Sequence, residues 1–216
     1  MARFDLNKGE RFNLKKSEGL NKIQINLGWK SGADLDVCAF LLGADGVIMD
    51  DADFVYYNSE NRCDPGSLVL EPFDRAKFGN KKNWRIETIP FSKDGSVIGS
   101  ADDLGDEDDE GDDAGEEMHV LLNKVNPKIS EIVFCVTIYH GDETGTTFSK
   151  VREPFISIVN EDSEEELCRY NLKENFANET AVVAGSLICD EEGEWSFEAV
   201  GNGYEGGMQT LIDIYA

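Results

Sequence analysis

Apolar residues fall on every second position along much of this chain. In Lys22-Ile23-Gln24-Ile25-Asn26-Leu27-Gly28-Trp29 the alternation predicts a strand with one buried face. Val37 to Leu42 is an unbroken apolar run, the pattern of a strand covered on both faces. Glu131 to Tyr139 (EIVFCVTIY) reads as a central strand, and Asp53 to Asn58 (DFVYYN) as a further, aromatic one. Phe155 to Val159, Val182 to Ile188 and Trp195 to Val200 complete the set. Gly43-Ala44-Asp45-Gly46 and Asp190-Glu191-Glu192-Gly193 predict tight turns between strands. Helical periodicity is scarce, with short helical turns expected near Pro72 to Lys77 and at Met208 to Tyr215.

Many short strands with Gly and Asp turns, and no alternating helices, predict an all-β fold of sandwich or barrel type. Neither a repeat nor a linker divides the chain, so residues 1–216 are expected to form one domain, with an irregular insertion at about 63–93. A chain of 216 residues buries roughly 70% of its unfolded surface, enough for a core without disulfide support. The five cysteines, Cys38, Cys63, Cys135, Cys168 and Cys189, lack any CxxC spacing, which argues against a disulfide framework and a zinc site. Cys38 and Cys135 sit in apolar runs and are expected in the core.

Charge changes the picture most. The chain carries 44 Asp and Glu against 20 Lys and Arg, a formal net of -24. Nucleic acid is therefore not an expected partner, since phosphate contacts need clustered cations. The amino terminus shows no apolar stretch after its basic residues, and no run approaches a membrane span. No transmembrane segment is expected, and the expected location is the cytoplasm.

The acid is concentrated. Asp102 to Glu117 reads DDLGDEDDEGDDAGEE, with 11 acidic residues among 16 and none basic. Gly105, Gly111 and Gly115 permit the tight turns that bring carboxylates together. Shorter clusters occur at Asp34-Leu35-Asp36 and Asp50-Asp51-Ala52-Asp53. Crowded carboxylates repel, and a hard cation relieves this by taking oxygen ligands. Calcium accepts six to eight in flexible geometry, whereas magnesium demands a tight octahedron. Zinc or copper would want His or Cys, and the segment has neither. A solvated acidic loop without a specific metal is the competing reading. The EF-hand-like spacing of Asp106, Asp108, Glu110, Gly111 and Glu117 is the kind of match any acid-rich segment yields. Gly201, Gly203 and Gly206 fit GxGxxG, but only ten residues follow, too few for a dinucleotide-binding unit; a glycine turn is expected. His119 alternates with Met118 and Val120 as a strand residue would, and His140 ends the EIVFCVTIY strand, where it could border the acidic loops.

These residues together resemble the TerD family of tellurium-resistance and general stress proteins. The resemblance rests on Asp34-Leu35-Asp36 followed by the strand to Leu42, Ala44-Asp45-Gly46, and Asp51-Ala52-Asp53-Phe54-Val55-Tyr56-Tyr57-Asn58. Gly95-Ser96-Val97, Asp102-Asp103-Leu104 and the acidic run follow in the family's order, as do Ile132 to Ile138, Thr147 to Val151, and Gly193-Glu194-Trp195-Ser196-Phe197. The resemblance spans roughly Phe12 to Tyr215. It implies a β-sandwich whose acidic end loops hold calcium, a cytoplasmic stress role, and partners among proteins of a stress complex. The expected metal ligands are Asp34, Asp36, Asp53, Asn58, Asp102, Asp103, Leu104 through its carbonyl, Asp106, Asp108, Asp112, Asp113, Glu116 and Glu117. The acidic run is longer than the family's, and His140 stands where the family has an acidic residue. No catalysis is expected, since neither histidine sits in a nucleophile motif. The alternative is a metal-dependent enzyme acting on phosphate or an oxyanion.

Overall fold

The computed structural model describes residues 3–14, 19–30, 34–65, 87–100, 114–172 and 176–216. Two six-stranded sheets pack face to face. The first runs β1 (Phe4–Leu6), β12 (Glu165–Asn171), β11 (Arg152–Asn160), β3 (Lys22–Lys30), β9 (Ala114–Leu121), β8 (Val97–Gly99). The second runs β2 (Arg11–Asn13), β14 (Trp195–Tyr204), β13 (Ala181–Cys189), β10 (Ile129–Ile138), β4 (Leu35–Gly43), β5 (Phe54–Val55). All pairings within the sheets are antiparallel except β1 with β12. A short ribbon, β6 (Arg62–Cys63) with β7 (Ile89–Pro90), joins the two described ends of the irregular segment. The expected sandwich is what the chain forms.

Alternation sets the faces. Ile23, Ile25, Leu27 and Trp29 of β3 meet Leu35, Val37, Ala39 and Leu41 of β4, with Ile132, Phe134 and Val136 of β10, in the core between the sheets. The other face of β4 is apolar as well, because it too is covered. Cys38, Phe40 and Leu42 pack with Val133 and Cys135 beneath the C-terminal helix, centred on Leu211. That double coverage is why Val37 to Leu42 shows no polar alternation. Cys38 and Cys135 are direct cross-strand neighbours, both fully buried. Two helices are described, α1 (Gly141–Thr144) and α2 (Gly207–Tyr215). Gly206 precedes α2 at φ 92°, where a Cβ would strike the Thr210 hydroxyl. The GxGxxG stretch is thus the end of β14 and a glycine turn into the helix.

Two expectations are corrected. Asp53 to Asn58 is not one strand: Asp51–Asp53 is a 3-10 turn and only Phe54–Val55 pairs in the sheet. The Asp50 carboxylate accepts the Ala52 N–H at 3.0 Å and starts that turn, as Asp side chains do at such caps. Phe54 stacks between Phe40 and Tyr56 at 4.3 Å on each side, so aromatic packing, and not strand pairing, explains the composition there. The acidic run also ends earlier than expected. Ala114 to Glu117 belong to β9, paired with Leu27, Gly28 and their neighbours on β3. The helical turn expected near Pro72 to Lys77 lies outside the described residues. No helix among the described residues is long and apolar enough to cross a membrane.

Candidate functional site

β4 enters its sheet at the end of the sandwich where β10 finishes and β9 begins. Asp34, just before the strand, is exposed, and its carbonyl accepts the Tyr139 N–H at 2.9 Å. Asp36 is buried and lies on the outer face, directly across from Thr137. Glu116 projects from β9 on the side of Met118 and Val120, toward the interior. Its Oε2 accepts the Val37 N–H at 2.6 Å. The reason lies in the short edge strand: β5 pairs only with Ala39 and Phe40. The carboxylate takes the Val37 donor beyond that pairing, and a charge-assisted bond of this kind is stronger than a neutral one. This contact ties the first sheet to the second. It also joins the residues that end the acidic run to those that follow Asp34 and Asp36.

The other expected ligands lie elsewhere. Glu117 points to the opposite face of β9 from Glu116, where Gln24 donates to it and His119 lies beside it. The His119 ring pairs with Glu161 at 2.7 Å. Asp53 sits next to Phe54, whose β4 partner is Phe40. That is about 15 Å along the strand from Asp36 at the usual rise. Burial pushes the Asp53 carboxyl up to about 6, and the charges of Asp94 and Asp50 add to the shift. Asp50 is ion-paired to Lys93. Asp94 is also desolvated, but bonds from Ser96, Ser92 and Asn126 outweigh burial and hold it below the usual carboxylate range. Asn58 is exposed in the turn closed by Ser59. Asp102, Asp103, Leu104, Asp106, Asp108, Asp112 and Asp113 lie outside the described residues. Among the described residues, no group of three or more His, Cys, Asp or Glu could hold a metal ion. Asp34, Asp36 and Glu116 offer oxygen donors, which suit calcium better than zinc.

Beside Asp36 a cleft of about 320 Å³ opens between the outer face of the second sheet and the first turn of α2. Asp36 and Thr137 line it from neighbouring strands, Tyr57 and Tyr139 from the connections, and His140 and Glu143 from the start of α1. His140 takes a left-handed conformation, φ 49°, and its Nδ1 lies 3.1 Å from Glu143. The sequence reading placed His140 near acid but missed the cleft, because Asp36, Tyr57, Tyr139 and Gly207 are far apart along the chain.

The family's domain model, "TerD domain", matches residues 1–88 and 87–215. The chain belongs to the TerD family. Both matched stretches supply strands to both sheets. General stress protein 16U of Bacillus subtilis (strain 168) is 35% identical over 218 residues, covering 97% of this chain and 95% of that protein. Tellurium resistance protein TerD of Serratia marcescens is 32% identical over 217 residues, with 97% and 95% covered. A crystal structure of a TerD homologue from Streptomyces coelicolor A3(2) superposes with a TM-score of 0.56 at 17% identity. It covers 89% of this chain and 95% of its own, which supports the fold.

Proposed function

We propose that this TerD-family protein of the tellurium-resistance and general-stress group binds calcium at the β4–β9 end of its sandwich and works there as a non-catalytic binding or scaffold module. The carrying observation is the 2.6 Å bond from Val37 N–H to Glu116. It sets the end of the acidic run beside Asp34 and Asp36. The donors there are carboxylates and carbonyls, the hard oxygen ligands that calcium takes. With a net charge of -24, the fold also gains from any cation that relieves self-repulsion. Asp34 and Glu116 would hold the metal together with acids of the 102–113 segment, while Asp36 faces the cleft beside α2. Bound calcium would supply charge neutralisation, while Glu116 keeps the two sheets joined.

A part in stress resistance fits the names of the relatives, and the same proposal takes the setting as the cytoplasm and the partners as proteins of a stress complex. Thermal melting with added calcium, then with a chelator, tests the reading. One site at a hundred times its Kd should stabilise the fold by about 2.7 kcal/mol. A rise in Tm no larger than that given by sodium at equal ionic strength would defeat it.

A further inference from the structure

The cleft beside α2 lies on the outer face of the second sheet, on the opposite side of β4 from the core that Glu116 enters. We propose that it binds an alkylammonium or guanidinium group, with Asp36 as the counter-ion and Tyr57 and Tyr139 as the aromatic walls. Four observations support this. First, a cavity of about 320 Å³ is at the small end of ligand sites, which suits one cationic side chain or a short amine. Second, its charged lining is acidic: Asp36 and Glu143 border it, and neither Lys nor Arg does among the described residues. Asp36 is only 6% exposed, so its carboxylate acts at reduced dielectric, where a cation is held more strongly.

Third, the Tyr57 and Tyr139 rings stand 5.9 Å apart at 80°. Two rings at right angles make a corner, and a cation against a tyrosine face is favoured by the ring quadrupole. The His140 ring stacks edge-on against Tyr139 at 4.2 Å and extends that wall. Fourth, Met208 and Ile212 of α2 give the cleft an apolar side for the methylene stem. Glycines 206 and 207, both at positive φ, put bare backbone at the rim, where a ligand can come close. A hydrated metal ion has no use for the aromatic corner or the apolar side; an organic cation uses both.

The test is an NMR titration of the whole protein in chelator and physiological salt, following the methyl groups of Met208 and Ile212. The probes are butylamine and spermidine as free amines, and N-acetyl-lysine amide and N-acetyl-arginine amide as stand-ins for a partner's side chain. N-acetyl-norleucine amide is the uncharged control. The cationic probes should shift both methyls saturably and the control should not. Tighter binding of the free amines would point to a metabolite, and tighter binding of the blocked amino acids to a protein partner. Asp36→Asn should weaken binding at least about tenfold, as loss of a buried ionic partner does. Tyr139→Ala should weaken it about two- to fivefold, with the fold intact by NMR. Asp162→Asn, on an exposed turn, should leave it unchanged. The proposal falls if norleucine amide binds as well, if Asp36→Asn binds like wild type, or if Asp162→Asn loses as much affinity. In a parallel sample without chelator, displacement of the probe by micromolar free calcium would assign Asp36 to the metal and also overturn it. Absence of any calcium heat in calorimetry of the same protein without chelator would count against the calcium reading alone.

Discussion

Replacing Asp53 with Asn should stabilise the metal-free protein at neutral pH and not at acid pH. Asp53 is 4% exposed, and its carboxyl titrates at about 6 in the fold against 3.8 in the unfolded chain, through burial first and the Asp94 and Asp50 charges second. Between those values the folded state binds more protons than the unfolded. Wild-type stability attributable to this group is therefore fully present below about pH 4 and lost as pH rises to about 6. A shift of about two pH units corresponds to about 3 kcal/mol at 1.36 kcal/mol per unit. The Asn amide brings its own packing cost, but that cost does not depend on pH. Urea unfolding in EDTA at pH 4 and pH 7.5 isolates the electrostatic part. The difference in stability between variant and wild type should move by about 2–3 kcal/mol in favour of Asp53→Asn from the lower pH to the higher. A difference constant across that range would refute the reasoning, because the carboxyl would then titrate alike in both states.

Other outcomes follow from the same packing. Leu211→Ala, at the buried centre of α2, should cost about 2–5 kcal/mol in urea unfolding; a loss under 1 kcal/mol would mean that the helix does not seal the outer face. Glu116→Gln keeps an acceptor but removes its charge, so it should cost about 1 kcal/mol in metal-free protein, and a neutral result would show that the Val37 bond has no stabilising role. In thiol labelling of the native protein, the half-buried Cys189 should react before Cys38 and Cys135, whose side chains are fully buried. Burial also pushes the Cys38 and Cys168 thiols up, the latter to about 12. Equal labelling rates would contradict that order.

The strands with an alternating or unbroken apolar pattern were legible in the sequence, because one or both of their faces are buried. Lys22 to Trp29 and Glu131 to Tyr139 became β3 and β10 with almost the expected bounds. β12, with the sequence EELCRYN, was not recognised, because charged and polar residues fill four of its seven positions and only Leu167, Cys168 and Tyr170 are buried. β9 carried a signal in the alternation of Glu116, Met118 and Val120, but the acidic run hid where the strand begins. Asp34, Asp36 and Glu116 were named from acid content, and tertiary packing joins their segments across the two sheets. Asp53 and Glu117 have the same composition and face other surroundings. Register and facing, which acid content does not specify, made that division. The cleft had no local signature, since its walls come from four separate stretches of chain.

Calcium titration by calorimetry tests the central claim most directly. The sample is metal-free protein at physiological salt, with magnesium as the reference ion and Asp34→Asn beside wild type. Saturable calcium binding much stronger than magnesium binding, largely lost in Asp34→Asn and retained in Asp162→Asn, is the expected result. Equal heats for the two ions, or equal binding in all three proteins, would show a diffuse counterion cloud and contradict a built calcium site.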